Sequence, residues 1–137
     1  MVWKSNLDAE FRLMRKAITT HRIVAMDVEF PGVVARSIGG PDTLYENVRC
    51  NVDLLSPIQV GFALSNEQGA SPLNEAGEPI GAWQFNFRFS LSTDLHATSS
   101  IELLERAGVK FDNHLHHGIE ASAFGELLVS SGLILDE

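Results

Sequence analysis

Apolar positions in the opening stretch of the chain change their period once. Over residues 7–20, Leu7, Phe11, Met14 and Ile18 recur at helical spacing while Asp8, Glu10, Arg15 and Lys16 fall on the other side, which predicts an amphipathic helix with Asn6 as its N-cap. Residues 23–30 are rich in β-formers and end at Pro31-Gly32, so a strand closed by a turn follows. Residues 33–52 hold no sustained period and read as a loop carrying one short helix. A second strand is predicted at 58–64. The Gly-, Pro-, Asn- and Glu-rich stretch 66–81 then reads as a long hairpin-like connection to a third strand, where Trp83, Phe85, Phe87 and Phe89 alternate with Gln84, Asn86 and Arg88. Beyond it the pattern turns helical. Ser99-Ser100-Ile101-Glu102 resembles a capped start with Gly108 placed to end it, a last helix spans 119–130 with Gly132 after it, and Leu133-Ile134-Leu135 could open another element.

Composition narrows the functional classes. With 137 residues, 45% of them hydrophobic, the chain fits one unit, 1–137, without a linker or internal repeat. No stretch reaches the roughly 20 apolar residues that a bilayer crossing needs, and charges occupy the start where a signal peptide needs an apolar core. The expectation is a soluble intracellular protein without a membrane partner. The single cysteine, Cys50, has no partner for a disulfide or a thiolate metal site. A formal net charge of -8 argues against broad electrostatic grip on nucleic acid, so any RNA contact must be local or metal-assisted.

One pair of residues disturbs the first strand. Asp27 and Glu29 lie two apart and project from one face, their Cα atoms roughly 7 Å apart, whereas Val24, Met26, Val28 and Phe30 form an apolar opposite face that predicts a packed strand. Burying unpaired carboxylates costs several kcal/mol, on the order of the transfer penalty of a charge. No basic residue lies in the strand to compensate. A hard divalent ion such as Mg2+ or Mn2+ resolves the conflict through oxygen ligands. The alternative is an edge strand with both carboxylates in solvent, and spacing alone leaves the two readings open.

The string Val24-Ala25-Met26-Asp27-Val28-Glu29-Phe30-Pro31-Gly32-Val33-Val34-Ala35-Arg36 closely resembles the first exonuclease motif of the Caf/Pop catalytic subunits of the Ccr-Not deadenylase complex, DEDD-type poly(A) exoribonucleases. Three further segments follow in the family's order: Arg49-Cys50-Asn51-Val52-Asp53-Leu54-Leu55 with Ile58-Gln59-Val60-Gly61, Trp83-Gln84-Phe85-Asn86-Phe87, and Glu126-Leu127-Leu128 with Ser130-Ser131-Gly132. The resemblance implies an α/β, ribonuclease H-like fold, a mixed central sheet flanked by helices, present here as its N-terminal part. It implies removal of AMP from the 3′ end of poly(A) RNA, other Ccr-Not subunits as partners, and a cytoplasmic and nuclear location. Asp27 and Glu29 match the first pair of the family's acidic metal ligands, which in the complete site hold two ions about 4 Å apart.

The family's remaining catalytic aspartates and its general-base histidine have no counterpart in this sequence, which lacks a Phe-His-Ser-Gly-Tyr-Asp segment. Asp42, Asp53, Asp94, Asp112 and Asp136 match none of the missing motifs and read as caps, turns or surface groups. The expectation is therefore a truncated product of low activity, with a non-catalytic interaction module of the deadenylase complex as the rival to the enzyme. Among other constellations, His114, His116 and His117 could bind a transition metal but read as a polar inter-helical turn. His21 and His96 lack catalytic partners, and Cys50 reads as a buried or inert thiol. The Trp83 to Phe89 aromatics suit one buried strand face better than base stacking. No phosphate-binding glycine loop occurs.

Overall fold

A computed structural model describes residues 1–36 and 43–132 of the chain. The elements are α1 (Leu7–Ile18), β1 (Ile23–Glu29), α2 (Thr43–Leu54), β2 (Gln59–Ser65), β3 (Trp83–Asn86), α3 (Thr98–Arg106), α4 (Phe111–His117) and α5 (Ala121–Ser130). The strands form a three-stranded sheet in the order β1-β2-β3, with both pairings antiparallel. Among the described residues, parallel pairing enters only as single-residue bridges, Val2 to Phe85 and Phe87 to Ile119. The element suggested for 133–135, like Asp42 and Asp136, lies outside the described residues. Among the described residues no helix is long and apolar enough to cross a membrane.

The register explains the core. Val60 and Phe62 of β2 lie opposite Phe85 and Trp83 of β3, and this face packs on Leu7, Phe11 and Met14 of α1 and on Phe124 of α5. Phe124 is the hub: its ring centroid lies 5.0 Å from Phe85, 5.1 Å from Phe87 and 5.7 Å from Phe11. Burying each such ring contributes roughly 1.5–3 kcal/mol. The predicted alternation from Trp83 to Phe89 holds, since all four aromatics are buried. Phe89 joins a second cluster with Ile58, Ile101, Leu104 and Phe111, which seats α3 and α4 against the sheet.

Several expectations need correction. α2 is a 12-residue helix where the sequence suggests a loop with one short helix; its apolar Leu44, Val48 and Val52 recur at helical spacing but remain exposed. The histidine segment is helix α4, not a turn. β3 is shorter than 83–89, since after Asn86 the backbone bonds Ile58 and Ile119 instead of β2. Asn6 precedes α1 but makes no side-chain cap; its Oδ1 accepts from Trp3 N at 2.7 Å and so ties down the N-terminal segment. α3 likewise starts without a side-chain cap. β1 is not the packed strand its apolar face suggested. It lies at the sheet edge, with Val24 45% and Met26 64% exposed, because the described helices cover β2 and β3 while only Val28 of this strand reaches the core cluster.

Candidate active site

Alternation along β1 and the sheet register together set the site's surroundings. Asp27 lies opposite Gly61 of β2, which lies opposite Gln84 of β3, and Glu29 lies opposite Gln59, which lies opposite Asn86. Partners across an antiparallel ladder share a face, so these six positions form two polar rows on the side of the sheet away from the Phe124 core. Gly61 contributes no side chain, and a Cβ there would meet nothing nearer than the Asp27 carbonyl oxygen at 3.9 Å. The space beside Asp27 is open. Asp27 itself is exposed and Glu29 half-buried.

Amides stiffen the second row. Gln59 Nε2 donates to Asn86 Oδ1 at 2.7 Å, Gln84 Nε2 donates to Gln59 Oε1 at 2.8 Å, and Asn86 Nδ2 donates to the Val2 carbonyl at 3.0 Å. Asn86 is 0% and Gln59 7% exposed, and no buried side-chain nitrogen or oxygen among the described residues lacks a partner. A closed network of this kind fixes rotamers, so the neighbour of Glu29 cannot drift.

The chain leaves the site along a fixed path. Ile58 N donates to the Glu29 carbonyl and Ala97 N to the Pro31 carbonyl, each at 2.8 Å. Gly32 adopts a φ of 101°, and a Cβ there would collide with Ser100 Oγ and lie 2.8 Å from Ala97 Cβ, so both conformation and space demand glycine. Asn51 then clamps the next residues: its Oδ1 accepts from Val34 N at 2.8 Å and Ala35 N at 3.0 Å, and its Nδ2 donates to the Ala35 and Asn47 carbonyls, each at 2.7 Å.

Asp27 and Glu29 fit a hard divalent cation by the chemistry of their donors. Both offer carboxylate oxygens, and neither enters an ion pair or side-chain hydrogen bond among the described residues. They are a pair and no more: among the described residues no group of three His, Cys, Asp or Glu gathers that could hold a metal ion. The histidines do not form such a group. His114 is buried at 1% exposure, donates Nδ1–H to the Phe87 carbonyl at 2.9 Å and packs its ring 5.2 Å from Trp3. Burial lowers its pKa below the ordinary 6.5, outweighing the opposing effect of the Phe87 carbonyl. His96 bonds the Asp94 carbonyl and His21 bonds Thr20, both local turn contacts.

The remaining candidates resolve as structure. Asp94 accepts from Ser90 N at 2.7 Å in a turn, Asp53 faces Arg49 at 3.9 Å on the surface of α2, and Asp112 lies in the first turn of α4. Cys50 is exposed, not buried, because the inward position of α2 is taken by Asn51 beside it. The amide ladder of Gln59, Gln84 and Asn86 was not recognised as part of the site in the sequence. Its signal was present as polar residues at period two inside strands whose other face is aromatic. Glu29 and the ladder also border a cleft of about 580 Å³, flanked by Trp3, Lys110 and His114.

Residues 2–122 match the CAF1 family ribonuclease. The chain is 46% identical over 140 residues to poly(A) ribonuclease pop2 of Schizosaccharomyces pombe, with 99% of this chain and 40% of that protein covered. It is 44% identical to CCR4-NOT transcription complex subunit 7 of Caenorhabditis elegans, with 98% of this chain and 43% of that protein covered. Among solved structures, S. pombe Pop2p in its Mg2+- and Mn2+-bound form superposes with a TM-score of 0.89 at 46% identity, over 96% of this chain and 52% of that one. The chain thus spans about half the length of these relatives, or less. The fold is that of a ribonuclease H-like domain, of which the described residues form a part.

Proposed function

The chain belongs to the CAF1 family of ribonucleases, and on that premise we propose that its sheet carries one acidic wall of a poly(A)-specific 3′-to-5′ exoribonuclease site, with Asp27 and Glu29 as ligands of Mg2+ or Mn2+. The observation that supports this most is the pair of same-face carboxylates without an ion-pair or side-chain hydrogen-bond partner among the described residues, with Glu29 beside fixed amides. A divalent ion held there supplies Lewis-acid stabilisation of charge on a phosphate and an activated water for hydrolysis to AMP. Gln59, locked between Gln84 and Asn86, limits the positions open to Glu29. Gly61 leaves room for a phosphate beside Asp27. Other subunits of a Ccr-Not assembly are the partners this reading names, in keeping with the name of the nematode relative, and cytoplasm and nucleus are the compartments in which such an enzyme meets poly(A).

A second reading, a non-catalytic interaction module, draws on a separate observation. Leu44, Val48 and Val52 of α2 lie exposed near Phe30 and Val33, and this apolar surface has no role in hydrolysis. End-labelled oligo(A) incubated with the purified chain decides between the readings. Stepwise, chelator-sensitive loss from the 3′ end supports the enzyme, and intact oligo(A) with well-folded protein favours the module. Asp27→Ala should weaken Mn2+ binding by calorimetry; an unchanged isotherm removes Asp27 from the metal site.

A further inference from the structure

Cations gather at one end of α1 without acids to accompany them. Arg12, Arg15 and Lys16 fall within little more than one helical turn and Arg22 follows at the entrance to β1, so four of the ten lysines and arginines occupy a stretch, 12–22, that contains no Asp or Glu. All four are exposed, and none enters an ion pair among the described residues although the chain carries 18 acidic residues. The helix macrodipole favours cations in the last turn, which accounts for Arg15 and Lys16 singly. It does not account for their crowding. Like charges three or four apart on a helix repel; Arg12 stands in that relation to both, and neither Arg15 nor Lys16 has an acid three or four residues away on either side. Carboxylates brought from outside the chain relieve this repulsion.

Beside these cations lies a groove of about 330 Å³. One wall is the α1 stripe Leu13, Lys16, Ala17 and Thr20, spaced i, i+3, i+4 and i+7, and the other is Pro72 and Leu73 of the connection between β2 and β3. Both walls are fixed. Ala17 is buried and Leu13 packs against the core cluster, while Ile80 N donates to the Pro72 carbonyl at 2.7 Å and Leu73 bridges to Pro79. Leu73 nonetheless stands 59% exposed, an apolar side chain in solvent at the groove's rim. The groove belongs to the far side of the sheet from Asp27 and Glu29, since α1 covers the face that carries Phe62, Phe85 and Phe124.

We propose that this groove docks an acidic peptide segment of a partner protein, with one aliphatic side chain seated between Leu13 and Leu73 and the flanking carboxylates on Lys16 and Arg12. A chain of formal net charge -8 repels an acidic segment over most of its surface, so a local patch of opposite sign fixes where such a segment lands. The fixed walls leave little to be ordered on binding. The lining favours peptide over nucleic acid: single-stranded nucleic acid is held by cations together with aromatic rings on which bases stack, and no Phe, Tyr or Trp lines this groove. None of these residues belongs to the metal pair, so docking here does not depend on hydrolysis.

Fluorescence anisotropy of a fluorescein-labelled peptide, Glu-Asp-Glu-Leu-Glu-Asp-Glu, titrated with the full chain at low ionic strength tests the docking. Lys16→Ala and Arg12→Ala should each weaken binding by about threefold, and Lys16→Arg should keep the parent affinity. The same peptide with Ser in place of its Leu should bind about tenfold less tightly, the loss of one buried aliphatic side chain. Leu73→Ser should weaken the Leu peptide and leave the Ser peptide unchanged. All of the substituted side chains are exposed, and circular dichroism checks that each variant keeps its fold. Equal affinity for the Leu and Ser peptides means charge attraction alone and overturns the groove, as does parent binding of the Leu peptide weaker than about 1 mM. Tighter binding of five-nucleotide oligo(U) in chelator, lost in Lys16→Ala, makes the patch a nucleic-acid surface and overturns the proposal equally.

Discussion

Replacing Asn86 tests the amide ladder directly. Asn86 is fully buried, and its side chain accepts from Gln59 and donates to the Val2 and Gln84 carbonyls. The two carbonyls keep backbone donors, since Val2 O accepts from Asn86 N and Gln84 O from Val2 N. The Gln59 amide does not. Asn86→Leu therefore strands one buried donor at about 1–3 kcal/mol and removes two further bonds worth about 0.5 kcal/mol or more each. The sum is roughly 2–4 kcal/mol, a fall in Tm of about 7–14 °C for a chain of this size. Urea denaturation should show the midpoint fall at constant slope. Gln59→Leu should cost a similar amount. Because apolar replacement of both partners leaves nothing stranded, the double variant should recover about 1 kcal/mol or more relative to the sum of the singles. A single variant that loses less than about 1 kcal/mol, or strict additivity in the cycle, refutes the ladder as a stabilising unit.

Other consequences are separately measurable. Gly32→Ala should lose about 2 kcal/mol or more from the positive φ and the collision with Ser100 and Ala97, read by the same urea titration; a loss below half of that means the β1 exit relaxes freely. Phe124→Ala opens the aromatic hub and should lose about 3–5 kcal/mol, with near-ultraviolet dichroism reporting the loosened rings. For His114 the folded pKa lies below the unfolded 6.5, so the unfolded chain takes up the proton first as pH falls. Its stabilising share is complete above that value and is lost as pH drops through it toward the folded pKa, at a slope of at most about 1.4 kcal/mol per pH unit. His114→Gln should flatten the stability profile below about pH 6.5, and an unchanged profile assigns acid sensitivity elsewhere. Met26→Lys, on the exposed edge strand, should raise the soluble concentration while changing stability by less than about 0.5 kcal/mol.

How far the sequence could be read depended on whether a residue's role was local or set by register. The helical stripe of α1 and the aromatic alternation of β3 are periodicities of single elements, and both are legible because each buries one face. The pairing of Asp27 with Glu29 is equally local, since two residues apart on any strand share a side. What no single segment discloses is which residues stand opposite. Gln59, Gln84 and Asn86 become a ladder only when antiparallel register sets Glu29 against Gln59 and Gln59 against Asn86. α2 differs for the reverse reason: Leu44, Val48 and Val52 recur four apart, a helical stripe, but that stripe is exposed, and the one buried side chain of the helix is polar Asn51, used to hold backbone.

The same distinction bears on β1. Its apolar residues predicted burial, yet an edge strand takes its environment from what is laid against it, and the described helices reach only β2, β3 and Val28. A carboxylate pair on such a strand is solvated on the Asp27 side and confined on the Glu29 side by the amide row. Those halves have different consequences for a bound cation. Solvent beside Asp27 weakens its attraction through a high dielectric, whereas the fixed surroundings of Glu29 reduce the ordering that binding requires. Glu29→Gln, which preserves volume and hydrogen bonding but removes charge, should therefore reduce Mn2+ affinity more than Asp27→Asn. An equal loss from both, or a larger one from Asp27, means the ion is held by charge alone and the ladder has no part in preparing the site.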